Sequence, residues 1–308
     1  MLDSWELALK SANRSPGTIK SYQLTGRLFC DYLDQHDMPT TVDEVAAEHI
    51  RAFLAATLHG CWADDDQTDP CPCRTKATSP GNAHKHWRNI KAFFGWLVRE
   101  GERKTGHPME NVAAPTVHDN PTPVFTDDDL RALLKACSGT SFADRRDTAI
   151  LRILIDTGMR ISGLAGLLQA DVLLKDGLLR ITLKGGDTLY APIGAKTAQA
   201  LDRYIRARAR HPHAESDWLW LSPKGRFTSW GIRQMVYRRG REAGVAGVHP
   251  HRFRHTMADD WMEAGGSAQD LMRIAGWKSL AMVMKYGRSA ADRRAHAAHA
   301  KLSPGNRI

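Results

Sequence analysis

The residues of this chain that are best suited to chemistry lie in its C-terminal half. Two of these residues are arginines, Arg160 and Arg254. The planar guanidinium of an arginine can donate two parallel hydrogen bonds to the non-bridging oxygens of a phosphate. His251 lies three residues before Arg254, so on a helix the two side chains share a face. One imidazole between two permanent cations is suited to moving protons while a phosphodiester is cleaved.

Three further residues complete a set that could cleave a phosphodiester with a phenol. Tyr286 would attack the phosphorus, although a phenol with an ordinary pKa of about 10 needs nearby cations and a proton acceptor. Trp277 offers an indole N–H, which only donates and could bind the same phosphate. Lys184 could protonate the leaving oxygen. Each residue alone is more often a surface or core residue, so the prediction depends on the joint pattern.

The elements that must position these residues are indicated by apolar spacing and by capping signals. A helix over about 143–157 ends at a glycine C-cap, so that Arg160 begins a new element. Two apolar runs, 178–183 and 189–193, flank Lys184 and two glycines, which predicts a β-hairpin. Further helices are predicted over about 195–210, 229–243, 251–264 and 268–274. The C-terminal half is therefore mainly α with a small antiparallel sheet.

The N-terminal half has the apolar periodicity of a helical bundle. Ile19, Tyr22, Phe29 and Leu33 form one stripe after Ser15-Pro16, and 83–101 carries a second stripe. That second stripe consists of Trp87, Ile90, Phe94 and Leu97. Lys85, Arg88 and Lys91 lie off it, on a face that is either solvated or in contact with phosphates.

A proline-rich stretch separates the two halves. Residues 102–124 hold four prolines and have no apolar period, which is typical of a boundary between domains. We therefore predict a domain over 1–114, a linker over 115–122 and a second domain over 123–308.

The bulk properties favour a reduced protein that binds a polyanion. The 308 residues carry a net charge of +9 and a sequence pI near 9.4, and basic surfaces gain affinity by releasing counterions from nucleic acid. No apolar run is long enough to span a membrane, and the first residues do not resemble a signal peptide. Five dispersed cysteines fit a reduced protein of the cytoplasm.

One segment of the N-terminal half holds possible metal ligands. Residues 59–86 contain His59, Cys61, Cys71 and Cys73, with two further histidines at the end. Zinc accepts such ligands, but the Cys-x-Cys step is tighter than the usual spacing, so a surface loop is favoured. We find no cluster of carboxylates in the sequence that would indicate a two-metal nuclease. Neither a metal nor a cofactor is expected.

The motifs that carry these residues resemble those of the tyrosine recombinase (phage integrase) family. The family's first-arginine motif is matched by 157–162, and its His-x-Leu-Arg-His-Thr motif by 251–256. Ala275-Gly276-Trp277 stands where the family usually has Leu-Gly-His, and Lys285-Tyr286-Gly287 matches the nucleophile motif. Lys184 corresponds to the family's hairpin lysine. Gly163 departs from the pattern, because family members commonly carry Asp or Glu there.

The resemblance implies a fold, a reaction and an assembly. The N-terminal half would be a SAM-like core-binding domain and the C-terminal half the catalytic domain, with no arm-binding domain. The catalytic residues would be Arg160, Lys184, His251, Arg254, Trp277 and Tyr286. The family forms a homotetramer on two synapsed duplexes at core attachment sites, with a 3′-phosphotyrosyl bond and a Holliday junction as intermediates. The tail 291–308 would be a helix that docks on a neighbouring subunit, or one that packs on its own.

These expectations define the favoured function and its alternatives. A site-specific integrase of a phage or mobile element is the first prediction, with double-stranded DNA and an optional directionality factor as partners. A Xer-like multimer resolvase and a type IB topoisomerase use the same chemistry. A DNA-binding regulator with little catalysis is an alternative of another class, which the unusual Gly163 leaves open.

Overall fold

The computed structural model describes residues 1–60, 77–118, 123–182, 186–286 and 291–308. They form two compact units, Met1–Asn120 and Pro121–Ile308. The described part of the first unit is helical: α1 (Leu2–Ser11), α2 (Pro16–Gln35), α3 (Ala47–His59) and α4 (Pro80–Arg99). Ser15 and Ser79 are the N-caps of α2 and α4, and a proline follows each cap. These local signals explain why both helices begin where they do.

The core of the first unit is built from the two predicted stripes. Phe29 and Leu33 of α2 are buried together with three residues of α4, namely Ile90, Phe94 and Leu97. The remaining stripe residues pack at the margin of this core. The helical prediction for the N-terminal half is confirmed, because burial follows the apolar period on both helices.

A buried polar network joins α2 to α4. Nδ1 of His86 lies 3.0 Å from Oγ1 of Thr25, and the amide nitrogen of Asn89 donates to that same hydroxyl at 2.9 Å. Burial lowers the pKa of His86 to about 4, so the neutral imidazole is the form held in the core. Three of the other candidate metal ligands, Cys61, Cys71 and Cys73, lie outside the described residues. Within the described ranges no group of three potential ligands could hold a metal ion.

The first part of the proline-rich stretch belongs to the first unit. Met109 and Val112 are 1% and 4% exposed and join its core. Arg103 donates to the backbone oxygens of Val42, Val45 and Gly106. The absence of an apolar period over 102–124 therefore does not mark a linker throughout, because tertiary contacts hold 103–112 in place. The assignment of 115–122 as the linker stays a prediction, and 119–122 lie outside the described residues.

The second unit is mainly α. Its described helices are α5 (Asp127–Lys135), α6 (Phe142–Thr157), α7 (Ile161–Ala165), α8 (Ala195–Arg208), α9 (Ser229–Glu242), α10 (Pro250–Glu263), α11 (Ala268–Ile274), α12 (Leu280–Tyr286) and α13 (Ala291–Leu302). Thr126 and Asp129 form a capping box at the start of α5. The positions predicted for the larger helices are confirmed to within two residues.

Two small antiparallel sheets accompany these helices. The first has the order β1 (Val172–Leu173), β2 (Leu178–Thr182) and β3 (Thr188–Pro192), and Arg180 pairs with Tyr190. The second joins β4 (Leu221–Ser222) to β5 (Gly225–Arg226). The predicted hairpin is confirmed as β2 and β3, whereas Lys184 in its connection lies outside the described residues.

Helix α6 is the centre of the second core. Ile150, Leu151, Ile153 and Leu154 are fully buried, and α6 packs against α8 and α10. Trp220 is also buried and donates through its indole N–H to the backbone oxygen of Leu164, at 2.8 Å. The burial of α6 and the hydrogen bond to α7 hold the two helices between which the candidate site begins. Along the described ranges, no helix is long and apolar enough to cross a membrane.

Candidate active site

The site is built around the close approach of α6 and α10. Helix α6 ends at Gly158, whose φ of 53° is left-handed. A Cβ at Gly158 would lie 2.8 Å from Cε of Met257 and 3.1 Å from Cα of Arg254, so a larger residue would displace Met257 and press on the backbone of α10, in addition to the strain of the positive φ. The glycine therefore both ends α6 and lets α10 cross it.

Arg254 is held at this crossing by backbone oxygens. Its Nη1 donates to the oxygen of Gly158 and its Nη2 to the oxygen of Ala275, each at 2.9 Å. The guanidinium lies 4.5 Å from the ring centroid of Trp277, and the residue is only 2% exposed. These contacts fix the plane of the guanidinium before any ligand arrives, which lowers the reorganisation that binding requires.

The indole ring of Trp277 packs against the guanidinium of Arg254. Gly276, with a φ of 62°, turns the chain so that the indole enters a small core with Met257, Leu271 and Val283. Val283 belongs to α12. Trp277 therefore shares a core with α12, the helix that ends at Tyr286. Its predicted hydrogen bond to phosphate stays a prediction, and the two described cavities of the site are not lined by it.

Arg160 and Arg254 line two neighbouring cavities. Arg160 is the exposed N-cap residue of α7, and in the described chain no carboxylate lies within ion-pair distance of it. The smaller cavity, of about 200 Å³, extends toward α9 and the start of α10. The larger one, of about 310 Å³, extends toward the β2–β3 hairpin. The two arginines predicted from the sequence are therefore brought together, as a phosphate clamp requires.

His251 lies in the first turn of α10 and lines the smaller cavity beside both arginines. Partial burial, followed by the charges of Arg254, Arg160 and Arg233, holds the pKa of His251 below its ordinary value. The neutral imidazole is thus the favoured form near neutral pH, and it can accept a proton from an attacking group.

The remaining predicted residues are described only in part. Thr182, the last described residue before Lys184, lines the larger cavity with Arg160, whereas Lys184 itself lies outside the described residues. For Tyr286 the structure describes its place as the last residue of α12. Their catalytic roles stay predictions.

Gly163 also lines the larger cavity. A Cβ there would lie 3.6 Å from Cγ2 of Ile181 and 3.7 Å from Cγ of Met159, both ordinary contact distances. The position has room for a side chain, so packing does not account for the glycine that this chain has instead of an acidic residue.

Three cavity residues were missed by the sequence prediction. Arg233 and Tyr237 extend from α9 into the smaller cavity, and His249 caps α10 there through a hydrogen bond from the backbone N–H of Arg252. The four-residue spacing of Arg233 and Tyr237 opposite the buried residues of α9 was the available signal. The whole arrangement concentrates cations around a small space, which suits it to a phosphodiester.

Comparisons with known proteins agree with this chemistry. Residues 123–293 match the model of the phage integrase family. The chain is 25% identical over 278 residues to the tyrosine recombinase XerD of Listeria innocua, and the match covers 88% of each chain.

Two solved structures have a similar fold. XerH recombinase bound to its palindromic difH substrate has a TM-score of 0.74 at 17% identity, over 94% of this chain and 81% of that one. A lambda integrase tetramer bound to a Holliday junction has a TM-score of 0.67 at 16% identity, over 92% and 75%. The predicted fold class, mainly α with a small antiparallel sheet, is confirmed.

The family match spans more than half of the chain and includes the cavity lined by Arg160, His251 and Arg254. The chain therefore belongs to the phage integrase family of tyrosine recombinases, and it is an enzyme that cleaves and rejoins DNA with a tyrosine nucleophile.

Proposed function

We propose that the enzyme is a site-specific integrase of a phage or mobile element, acting at core attachment sites. The observation that carries the cleavage chemistry of this proposal is that Arg160, His251 and Arg254 line one cavity. The arginines bind the non-bridging oxygens of the scissile phosphate and stabilise the charge that develops in the transition state. The neutral His251 accepts a proton during attack.

Tyr286 is the nucleophile in this proposal. Its phenol oxygen forms a bond to phosphorus as the bond to the 5′-oxygen breaks, which leaves a 3′-phosphotyrosyl link. Lys184 donates the proton that the leaving 5′-oxygen needs. Trp277 supports Arg254 and donates its indole N–H to the phosphate. Rejoining reverses these steps with the 5′-hydroxyl of another strand, so a Holliday junction forms between two duplexes.

The N-terminal unit is the core-binding domain in this proposal. Arg88 and Lys91 are exposed on α4, opposite its buried stripe, where they can contact DNA phosphates. Four protomers would hold two duplexes, as in the lambda integrase tetramer, and a directionality factor would select the reverse reaction.

A Xer-type resolvase is the second candidate, favoured by the similarity to XerD along 88% of each chain. Both candidates use the same site and differ in their DNA. An integrase joins sites on two molecules, whereas a resolvase separates two sites on one multimer. Strand exchange between two labelled duplexes, compared with resolution of a two-site plasmid, distinguishes them and also excludes a topoisomerase or a non-catalytic regulator.

Covalent trapping tests the chemistry. We expect nicked duplexes made from the DNA that flanks this protein's gene to form a denaturant-resistant adduct with the enzyme. Because the adduct is a bond to the phenol oxygen, Tyr286→Phe should bind the same DNA and form none. Tyr190→Phe is the control, since it removes an exposed phenol that lines neither cavity, and it should retain the adduct. An adduct kept by Tyr286→Phe would refute the nucleophile assignment.

A further inference from the structure

The arginines of α9 have two different environments. Arg239 is buried and paired with Asp144, Asp147 and Glu242, and Arg238 pairs with Asp147. These side chains are neutralised within the protein. Arg233 is exposed one turn or more earlier on the helix, and in the described ranges no carboxylate lies within ion-pair distance of it.

Arg233 enters the same cavity as the proposed catalytic residues. The polar residues that line this space of about 200 Å³ are Arg160, Arg233, Tyr237, His249, His251 and Arg254. None of the lining residues carries a carboxylate. Three guanidinium groups around one small space repel one another, and anions that enter the cavity offset this repulsion.

The positions of the cations indicate more than one anion. Arg160 and Arg254 line both cavities, so they mark the point where the cavities adjoin. Arg233 and Tyr237 line only the smaller cavity, on its α9 wall. A phosphodiester has two non-bridging oxygens, and the two shared arginines with His251 already supply donors for them. A third guanidinium on another wall fits a second phosphate, and DNA supplies one at the next nucleotide.

We infer that Arg233 and Tyr237 form a second phosphate subsite, which binds the DNA phosphate adjacent to the scissile one. This inference rests on the proposed function of the neighbouring site. Arg233 and Tyr237 are four residues apart on α9, so their side chains lie on one face and can bind one phosphate from two directions. Both are positioning residues: they fix where the backbone enters the site, and thereby the alignment of the scissile phosphate.

The first arm of the test measures salt dependence without cleavage. In a Tyr286→Phe background, binding to duplexes from the DNA flanking the gene is measured over a range of salt concentrations. Arg233→Ala should reduce the slope of log K against log salt by about 1, because one phosphate contact is lost. Arg241→Ala is the matched control, since Arg241 is an exposed arginine of the same helix that lines neither cavity. Its slope should stay near that of the parent.

The second arm uses cleavage at the mapped position. Arg233→Ala should slow adduct formation about ten- to a hundredfold, and Tyr237→Phe about three- to tenfold, as expected for a charged and a neutral hydrogen bond. A methylphosphonate placed at each neighbour of the scissile phosphate removes one charge at a time. With the methylphosphonate at one of the two neighbours, the wild-type enzyme should form the adduct as slowly as Arg233→Ala does on unmodified DNA. Arg233→Ala should not be slowed further by that methylphosphonate.

The outcomes separate this inference from the function on which it rests. The subsite would be overturned if the methylphosphonate and Arg233→Ala slowed adduct formation additively at both neighbouring phosphates. An unchanged salt slope together with normal cleavage in Arg233→Ala would also overturn it. Equal slope changes in Arg233→Ala and Arg241→Ala would also overturn it, because general surface charge would then account for the effect. If the wild-type enzyme binds DNA but forms no adduct, the proposed recombination fails, and the salt slopes still decide whether Arg233 binds a phosphate.

Discussion

At the scale of single residues, arginine side chains have two different roles in this protein, and their binding partners distinguish the two roles. Arg239 lies against three carboxylates and holds helices together. Arg254 instead donates to two backbone oxygens and stacks on Trp277, at the edge of a cavity. Backbone oxygens hold the plane of this guanidinium in place, so its orientation at the cavity is set before a ligand binds.

Arg254→Lys tests the need for that fixed geometry. An ammonium on a flexible stem cannot reach both backbone oxygens and present a planar fork as well. We expect single-turnover adduct formation to slow by about 10²–10³-fold, the loss typical of removing one transition-state donor. Arg273→Lys, at an exposed arginine of α11, is the control and should cleave normally. Near-normal cleavage by Arg254→Lys would show that charge alone is sufficient.

At the scale of elements, Asp147 joins α6 to α9. Its carboxylate is fully buried and lies 2.7–3.0 Å from nitrogens of Arg146, Arg238 and Arg239. Arg146 also stacks on Phe227 and donates to the backbone oxygen of Leu221. One carboxylate therefore fixes the helix that ends at the site relative to the helix that carries Arg233.

Asp147→Asn should destabilise the protein strongly. The substitution removes the carboxylate that pairs with the buried guanidinium of Arg146 and one of the three that pair with Arg239, which costs about 3–5 kcal/mol. Urea unfolding of the full chain should show this as a lower free energy of unfolding. Asp202→Asn is the matched control, because its partner Arg206 is 69% exposed and such a pair contributes about 0.5 kcal/mol or less. Similar losses in both variants would contradict the structural role of the buried network.

At the scale of the whole molecule, charge and the C-terminal helix bear on assembly. The net charge of +9 favours binding to DNA. In α13 the side chains that the structure describes from Ala295 onward are exposed, and Leu302 is 76% exposed. An amphipathic helix with an exposed apolar end is typical of a segment that packs on a partner. This favours the assembly role over packing on its own subunit.

Deletion of 291–308 should separate cleavage from assembly. Without the docking helix, the enzyme should still form the covalent adduct on a nicked duplex, while complexes that contain two duplexes and strand exchange should be lost. Gel mobility and an exchange assay measure both. Deletion of 303–308 alone, beyond the end of α13, is the matched control and should leave exchange intact. A large fall in melting temperature on removing 291–308 would instead indicate that the helix packs on its own subunit.

The sequence by itself determined the elements and the identities of the chemical groups. Ser15-Pro16, the capping box at Thr126 and the glycine after Thr157 act within a few residues, so the ends of their helices were predictable. The alternating runs of the hairpin depend on equally local pairing. The motif residues Arg160, His251 and Arg254 were predictable because their types and their spacing rarely coincide by chance.

Only the tertiary structure decided how these groups are arranged. Arg254 contacts Gly158 across 96 positions, and Arg233 joins Arg160 in one cavity from a different helix. Met109 and Val112 entered the first core from a stretch that has no apolar period. No local pattern encodes such contacts, because periodicity describes which face of one element is apolar and not which element will cover it. Burial and cavity formation depend on how distant elements pack, and that decides which arginines pair with carboxylates and which line the cavities.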